Sequence, residues 1–212
     1  MMRALLLATA LVTGACSPGV HDVDGDGRIV IACLGDSNTE TRWPPPHTPK
    51  WCEFAAAERP GWTFTNYAVG GATVTRPTDE RSWIDPQLDA ARGTDPLDAV
   101  VLAFGTNDVR TGRSTTDIVA AYRAAAARAS ATGARVFVAL TPPIYPPEPE
   151  HADAIAALNA TLRRAFPADQ IIDFATGMGA GDFEPDGLHP NRTGQFKRAQ
   201  AALRTLTPGS VS

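Results

Sequence analysis

The chain has 212 residues, of which 43% are hydrophobic and 20% charged, enough for one domain with a sizeable core and too few for two comfortable ones. A formal net charge of −4 excludes the basic field that nucleic acid or an anionic membrane surface would call for. Beyond alanine-rich stretches there is no repeat and no low-complexity tract, so the chain reads as an ordinary globular protein.

The first segment reads as a targeting sequence. Met1-Met2-Arg3 supplies a short basic region, and Ala4 to Val12 an apolar core too short for a permanent membrane span. Thr13-Gly14-Ala15 then places small residues before Cys16, a pattern that resembles a bacterial lipoprotein signal in which Cys16 is lipidated and tethers the mature chain. Thr13 departs from that pattern, where an aliphatic residue is usual, so ordinary cleavage after Ala15 is the alternative. Residues 1–15 are therefore expected to be a signal peptide, 16–27 an acidic flexible linker and 28–207 the domain. The protein is expected to be exported, as a membrane-anchored lipoprotein or in secreted or periplasmic form. In such a compartment the remaining cysteines, Cys33 and Cys52, can pair, but a sequence does not give the distance between them.

Strands and helices then alternate. Ile29 to Leu34 is a continuous apolar run, as in a strand buried on both faces. A proline-rich loop from Pro44 to Pro49 precedes a short helix around Trp51 to Glu58. Thr63 to Ala68 is a second strand, Ile84 to Arg92 a helix, and Ala99 to Phe104 a third strand. Thr116 to Thr132 is helical by alanine content, with Ser114 or Thr115 as its N-cap and Gly133 as its stop. Val136 to Leu140 is a fourth strand, His151 to Phe166 a helix, Gln170 to Phe174 a fifth strand and Pro190 to Thr205 the last helix. Five short apolar strands between helices predict an α/β fold with an open parallel sheet covered on both faces. Ligands bind such sheets at the carboxyl ends of the strands.

The polar clusters fall at those ends. Gly35-Asp36-Ser37-Asn38 can present a hydroxyl at the top of the first strand. Asp186-Gly187-Leu188-His189 places a carboxylate three residues before an imidazole, close enough to hold the tautomer that accepts a serine proton. A serine hydroxyl needs such a base to attack an ester. Asn66 to Gly71 ends the second strand in two glycines, whose backbone N–H groups can approach a substrate closely. Gly105-Thr106-Asn107-Asp108 ends the third with a side-chain amide, and both loops suit donors to a developing oxyanion.

Three other features carry less. Asp22, Asp24 and Asp26 with Gly27 begin like a calcium loop, but position twelve is Cys33 and no helices flank it, so a solvated acidic linker is the simpler reading. His21, His47 and His151 lack the clustering of a metal site. Trp43, Trp83 and Tyr145 can form a platform for a sugar or acyl chain, or pack their own loops.

In order along the chain, "GDSN", "NYAVGG", "GTND" and "DGLHP" resemble the four blocks of the SGNH hydrolases, also called GDSL esterases or lipases. That resemblance implies a three-layer, flavodoxin-like α/β/α sandwich. It makes Ser37 the nucleophile, His189 the base and Asp186 its partner, with the oxyanion hole formed by the Ser37 N–H, Gly71 and the Asn107 side chain. Gly71 is preferred over Gly70 for its spacing from Asn66. No metal or organic cofactor is implied. The expected substrate is a small-molecule or polysaccharide ester, with short acyl groups on carbohydrate or another polar alcohol favoured. Lysophospholipase, thioesterase or acyltransferase activity with the same triad is the alternative; a non-catalytic glycan- or calcium-binding module is a third reading that intact catalytic positions disfavour. Oligomeric state is not legible.

Overall fold

The structure, a computed structural model, describes residues 19–41, 48–79, 82–93, 96–146 and 149–207. The expected signal peptide, Cys16 and most of the proline-rich loop, including Trp43 and His47, lie outside the described residues. The strands are β1 (Ile29–Gly35), β2 (Trp62–Asn66), β3 (Ala99–Ala103), β4 (Arg135–Ala139) and β5 (Ile171–Ile172). They form one parallel sheet in the order β2-β1-β3-β4-β5. The α-helices are α1 (Trp51–Glu58), α2 (Ile84–Arg92), α3 (Thr106–Arg110), α4 (Thr115–Ser130), α5 (Ala152–Ala165) and α6 (Arg192–Leu206).

The period of two along each strand divides the apolar residues between two cores. Val30, Ala32 and Leu34 of β1 share one with Val100 and Leu102 of β3, Val136 and Val138 of β4, and the apolar faces of α2, α4 and α5. Ile31 and Cys33 join Val101, Phe137, Ile172 and the inner residues of α1 and α6 in the other. Continuous apolar runs therefore appear because both faces are buried, and the result is the three-layer α/β/α sandwich expected from the sequence. Among the described residues no helix is long and apolar enough to cross a membrane.

Cys33 and Cys52 form a disulfide, with Cα atoms 6.5 Å apart, which fastens β1 to α1. Closing a loop of this length contributes roughly 3 kcal/mol in the chain-entropy account. The acidic stretch before β1 is attached to the domain rather than loose. Val20 is buried and donates its N–H to the Leu206 carbonyl at 2.8 Å. The buried Asp98 carboxylate accepts the N–H groups of Val23 and Val30 at 2.6 and 2.7 Å. Asp22 accepts those of Gly25 and Gly27, so these carboxylates organise turns. Carboxylate oxygens of Asp22, Asp24 and Asp98 do lie within 4.8 Å of one another, beside the amino-terminal ends of β1 and β3 and so at the opposite end of the sheet from Ser37.

The sheet order reverses between β1 and β3, since α1 leads from β1 outward to β2 and the chain returns through α2 to β3 on the other side. Loops leaving these neighbouring strands part to opposite faces and open a crevice at their carboxyl ends. Ser37 follows β1 and Asn107 follows β3 at this point.

Candidate active site

Gly35 ends β1 where a side chain has no room: a Cβ would lie 2.8 Å from the Ala103 carbonyl oxygen and 2.7 Å from Thr39 Oγ1. Gln87 of α2 pairs with this residue twice, accepting its N–H and donating to its carbonyl, each at 2.9 Å. The chain then turns. Asp36 accepts the N–H of Asn38 on its side chain and those of Thr39 and Glu40 on its carbonyl, all at 2.9 Å. Ser37 stands on this turn, half-buried.

The turn is held from below by α6. Gln195 Nε2 donates to the Asn38 carbonyl at 3.0 Å, and Gln195 Oε1 accepts the Trp51 N–H at 3.1 Å. Arg198 donates through Nη1 to the same Asn38 carbonyl and to Gln195 Oε1, with its guanidinium 4.4 Å from the centre of the Phe174 ring. Gln195, Arg198, Asn38 and Asp36 are all buried. Burial pushes the Asp36 carboxyl up to about 6, against the opposing pull of the Asn38 N–H and the Arg198 charge. The buried Lys50 is pushed down to about 8, by desolvation first and by Arg198 second.

The opposing loop supplies the imidazole. Asp186 Oδ1 accepts the N–H groups of Leu188 and His189, each at 2.9 Å. Its Oδ2 lies 2.6 Å from His189 Nδ1, and His189 Nε2 lies 2.9 Å from Ser37 Oγ. Burial alone would raise the Asp186 carboxyl, but the N–H of His189, its imidazole and the N–H of Leu188 together hold it below the usual range. An ionised carboxylate only accepts, so Nδ1 carries the proton and Nε2 is left to accept from the serine. The bend between Asp186 and His189 depends on Gly187, whose φ is +66° and whose Cβ would lie 2.3 Å from the Pro146 carbonyl oxygen. Gly187→Ala is therefore expected to displace the His189 loop, lowering kcat/KM by about 100-fold, the scale of a 1 Å misplacement. An unchanged rate for nitrophenyl acetate would overturn that account.

The loop after β2 is stitched to the Ser37 turn. Asn66 donates to the Thr39 carbonyl at 2.7 Å, Val69 to the Gly35 carbonyl at 3.1 Å, and Gly70 to Glu40 Oε2 at 2.9 Å. Glu40 thus takes the Gly70 N–H. The N–H groups of Gly71, at φ +74°, and of Ser37 have no acceptor among the described residues. After β3, Gly105 (φ +111°) leads into α3. Asn107 donates one amide hydrogen to the Ala72 carbonyl at 3.0 Å, which holds its side chain beside the Gly71 loop. Asp108, raised by burial but bound by the Thr75 hydroxyl and the N–H groups of Val74 and Thr75, ties α3 to the same loop.

The structure therefore brings together Ser37, His189 and Asp186 in one hydrogen-bonded chain, with Gly71 and Asn107 on neighbouring loops. Sequence reasoning missed Glu40, Gln87, Gln195 and Arg198. For the last two a signal existed: they fall in register with Ala199, Ala202 and Leu206 on the buried stripe of α6. The aromatic platform does not form from Trp83 and Tyr145. Trp83 packs against the core with Arg76 over its ring. Tyr145 packs on Phe183 and donates to the Met178 carbonyl.

Comparison with known proteins fits this arrangement. The model of the GDSL-like lipase/acylhydrolase family matches residues 33–195, and the chain belongs to that family of ester hydrolases. Among solved structures it is similar to a member of the lipolytic G-D-S-L family from Veillonella parvula, at 24% identity and a TM-score of 0.65, covering 83% of this chain and 97% of that one. It is also similar to a carbohydrate acetylesterase from Sinorhizobium meliloti, at 20% identity and a TM-score of 0.68 over 84% and 98% of the two chains. A catalytic mutant of an acetylxylan esterase from Geobacillus stearothermophilus matches at 14% identity and a TM-score of 0.62 over 87% and 96%. Likeness at these identities speaks for the fold. No curated protein matches the chain by sequence.

Proposed function

We propose that the chain is an exported serine esterase that removes short acyl groups, acetyl above all, from carbohydrate or other polar alcohols. The observation that carries the chemistry is the hydrogen-bonded chain Ser37 Oγ–His189 Nε2–Asp186, with distances of 2.9 and 2.6 Å. Ser37 Oγ attacks the ester carbonyl carbon while His189 Nε2 takes its proton. The Asp186 carboxylate stabilises the imidazolium formed. The oxygen of the tetrahedral intermediate receives the N–H groups of Ser37 and Gly71 and the Asn107 amide, and each such donor is worth about 3 kcal/mol. Collapse breaks the bond to the alcohol, which leaves with the proton from His189. Water then gives a proton to the same nitrogen and attacks the acyl carbon; collapse breaks the bond to Ser37 Oγ, which takes that proton back from His189 as the carboxylic acid leaves.

Two features support the substrate class, and a third supports export. Glu40 places a carboxylate within hydrogen-bond distance of Gly70 and beside the nucleophile turn, a setting that suits hydroxyl groups better than an acyl chain. Similarity to carbohydrate acetylesterases points the same way. The Cys33–Cys52 disulfide suits an oxidising compartment, in keeping with export and with Cys16 as an anchor. The test is a series of nitrophenyl esters from acetyl to palmitoyl, with mass-spectrometric mapping of a serine-directed phosphonate. The expected result is the highest kcat/KM for acetate and a label on Ser37. Rates that rise towards palmitate would favour the lipolytic alternative, and a label elsewhere would end the Ser37 assignment.

A further inference from the structure

A cavity of about 330 Å³ is lined by Thr73, Pro77, Thr78, Asp79, Thr111 and Arg113. Every lining residue but the proline carries a hydroxyl, a carboxylate or a guanidinium. Its walls are continuations of the two loops that hold Gly71 and Asn107. Thr73 lies two residues beyond Gly71, a reach of at most about 7 Å. Thr111 lies one helical turn beyond Asn107, an advance of about 6 Å. Both walls are fixed. The Thr111 hydroxyl bonds back to the carbonyls of Asn107 and Asp108, and that of Thr73 donates to the Thr75 carbonyl. The buried Asp108 carboxylate clamps the first wall to α3 through Val74 and Thr75. Arg113 donates to the Arg76 carbonyl at 3.3 Å and so spans the two walls.

The size and chemistry restrict what fits. Ligand cavities span about 300–1,000 Å³, so this one takes a single small unit. A fatty-acyl chain would desolvate the carboxylate and the guanidinium without replacing their hydrogen bonds. An anionic group would meet Asp79. A neutral ring bearing several hydroxyls suits all of it, because each O–H can donate to Asp79 or a threonine oxygen and accept from Arg113. We propose that this cavity is a subsite for a sugar unit of the substrate, lying beside the reacting ester; the assignment rests on the esterase reading above and names the part of the molecule that gives its alcohol specificity.

Binding and turnover test it separately. In calorimetric titration of the purified full chain with xylotriose, the expected result is millimolar binding that weakens at least tenfold in Asp79→Ala/Arg113→Ala. With acetylated xylotriose as substrate, kcat/KM relative to that for 4-nitrophenyl acetate is expected to fall at least tenfold in the same variant. Thr78→Val, which removes one exposed hydroxyl, is expected to shift both readouts in the same direction and guards against a folding defect in the double variant. Absence of xylotriose binding in the wild type, equal binding by the variants, or a parallel fall for both esters would overturn the subsite. A wild type that binds xylotriose but leaves nitrophenyl acetate intact would instead sink the esterase reading and keep the subsite.

Discussion

Ser37→Ala is expected to lower kcat/KM for 4-nitrophenyl acetate by roughly 10⁴- to 10⁶-fold, as loss of an activated nucleophile does. Ser37 Oγ bonds to His189 Nε2, whereas the turn itself is held by Asp36, Gln195 and Arg198 through backbone atoms. Removing the hydroxyl therefore leaves the turn in place, and the melting temperature should move by no more than about 2 °C. The residual rate should come from the oxyanion donors and substrate binding, so adding Asn107→Ala to Ser37→Ala should lower it further. A Ser37→Ala protein with full activity would end the nucleophile assignment.

Arg198→Ala is expected to be the most destabilising single change in the site, at about 3–5 kcal/mol, the scale for leaving a buried charge without its partner. That corresponds to a fall in melting temperature on the order of 10 °C. The Asn38 carbonyl would lose a charged donor, and Asp36 would lose the larger of the two positive charges, Arg198 and Lys50, that partly offset its burial. The pH dependence separates these causes. With a folded pKa of about 6 against an ordinary 3.8, Asp36 keeps a proton in the folded state that the unfolded chain has released. Its contribution therefore lowers stability as pH rises from about 4 to 6, and levels off above. Without Arg198 the folded pKa rises further, so the decline continues to higher pH. The gap in melting temperature between wild type and variant should widen from pH 4 to pH 8. A gap of constant size would show that only the hydrogen bonds to Asn38 and Gln195 matter.

Much of the fold was legible because burial on both faces writes itself as uninterrupted apolar runs. β1, β3 and β4 lie within a residue or so of their expected ranges for that reason. The misses have local causes. β2 stops at Asn66, two residues early, because the Asn66 side chain accepts the N–H of Ala68 and turns the chain. β5 is only Ile171–Ile172, since Asp173 captures the N–H groups of Ala175 and Thr176. Helix α3 read as a turn: Thr-Asn-Asp has poor helix propensity, and the five residues are held by the bonds from Asp108 to Val74 and Thr75. The polar clusters could be found because each follows a strand. The residues that hold them could not. An arginine on a buried helical stripe announces that it has a partner, but only the packing of α6 under the Ser37 turn shows that the partner is the Asn38 carbonyl.

The link between Cys33 and Cys52 closes a covalent ring, and Ser37 lies inside it. A protease that cut the chain anywhere between Thr39 and Lys50 would therefore release nothing. The two pieces would stay joined through β1 and α1, migrate together on a non-reducing gel, and separate only after a thiol is added. A nicked enzyme would keep Ser37 on the strand that presents it, because the ring holds both pieces to the sheet and to α1.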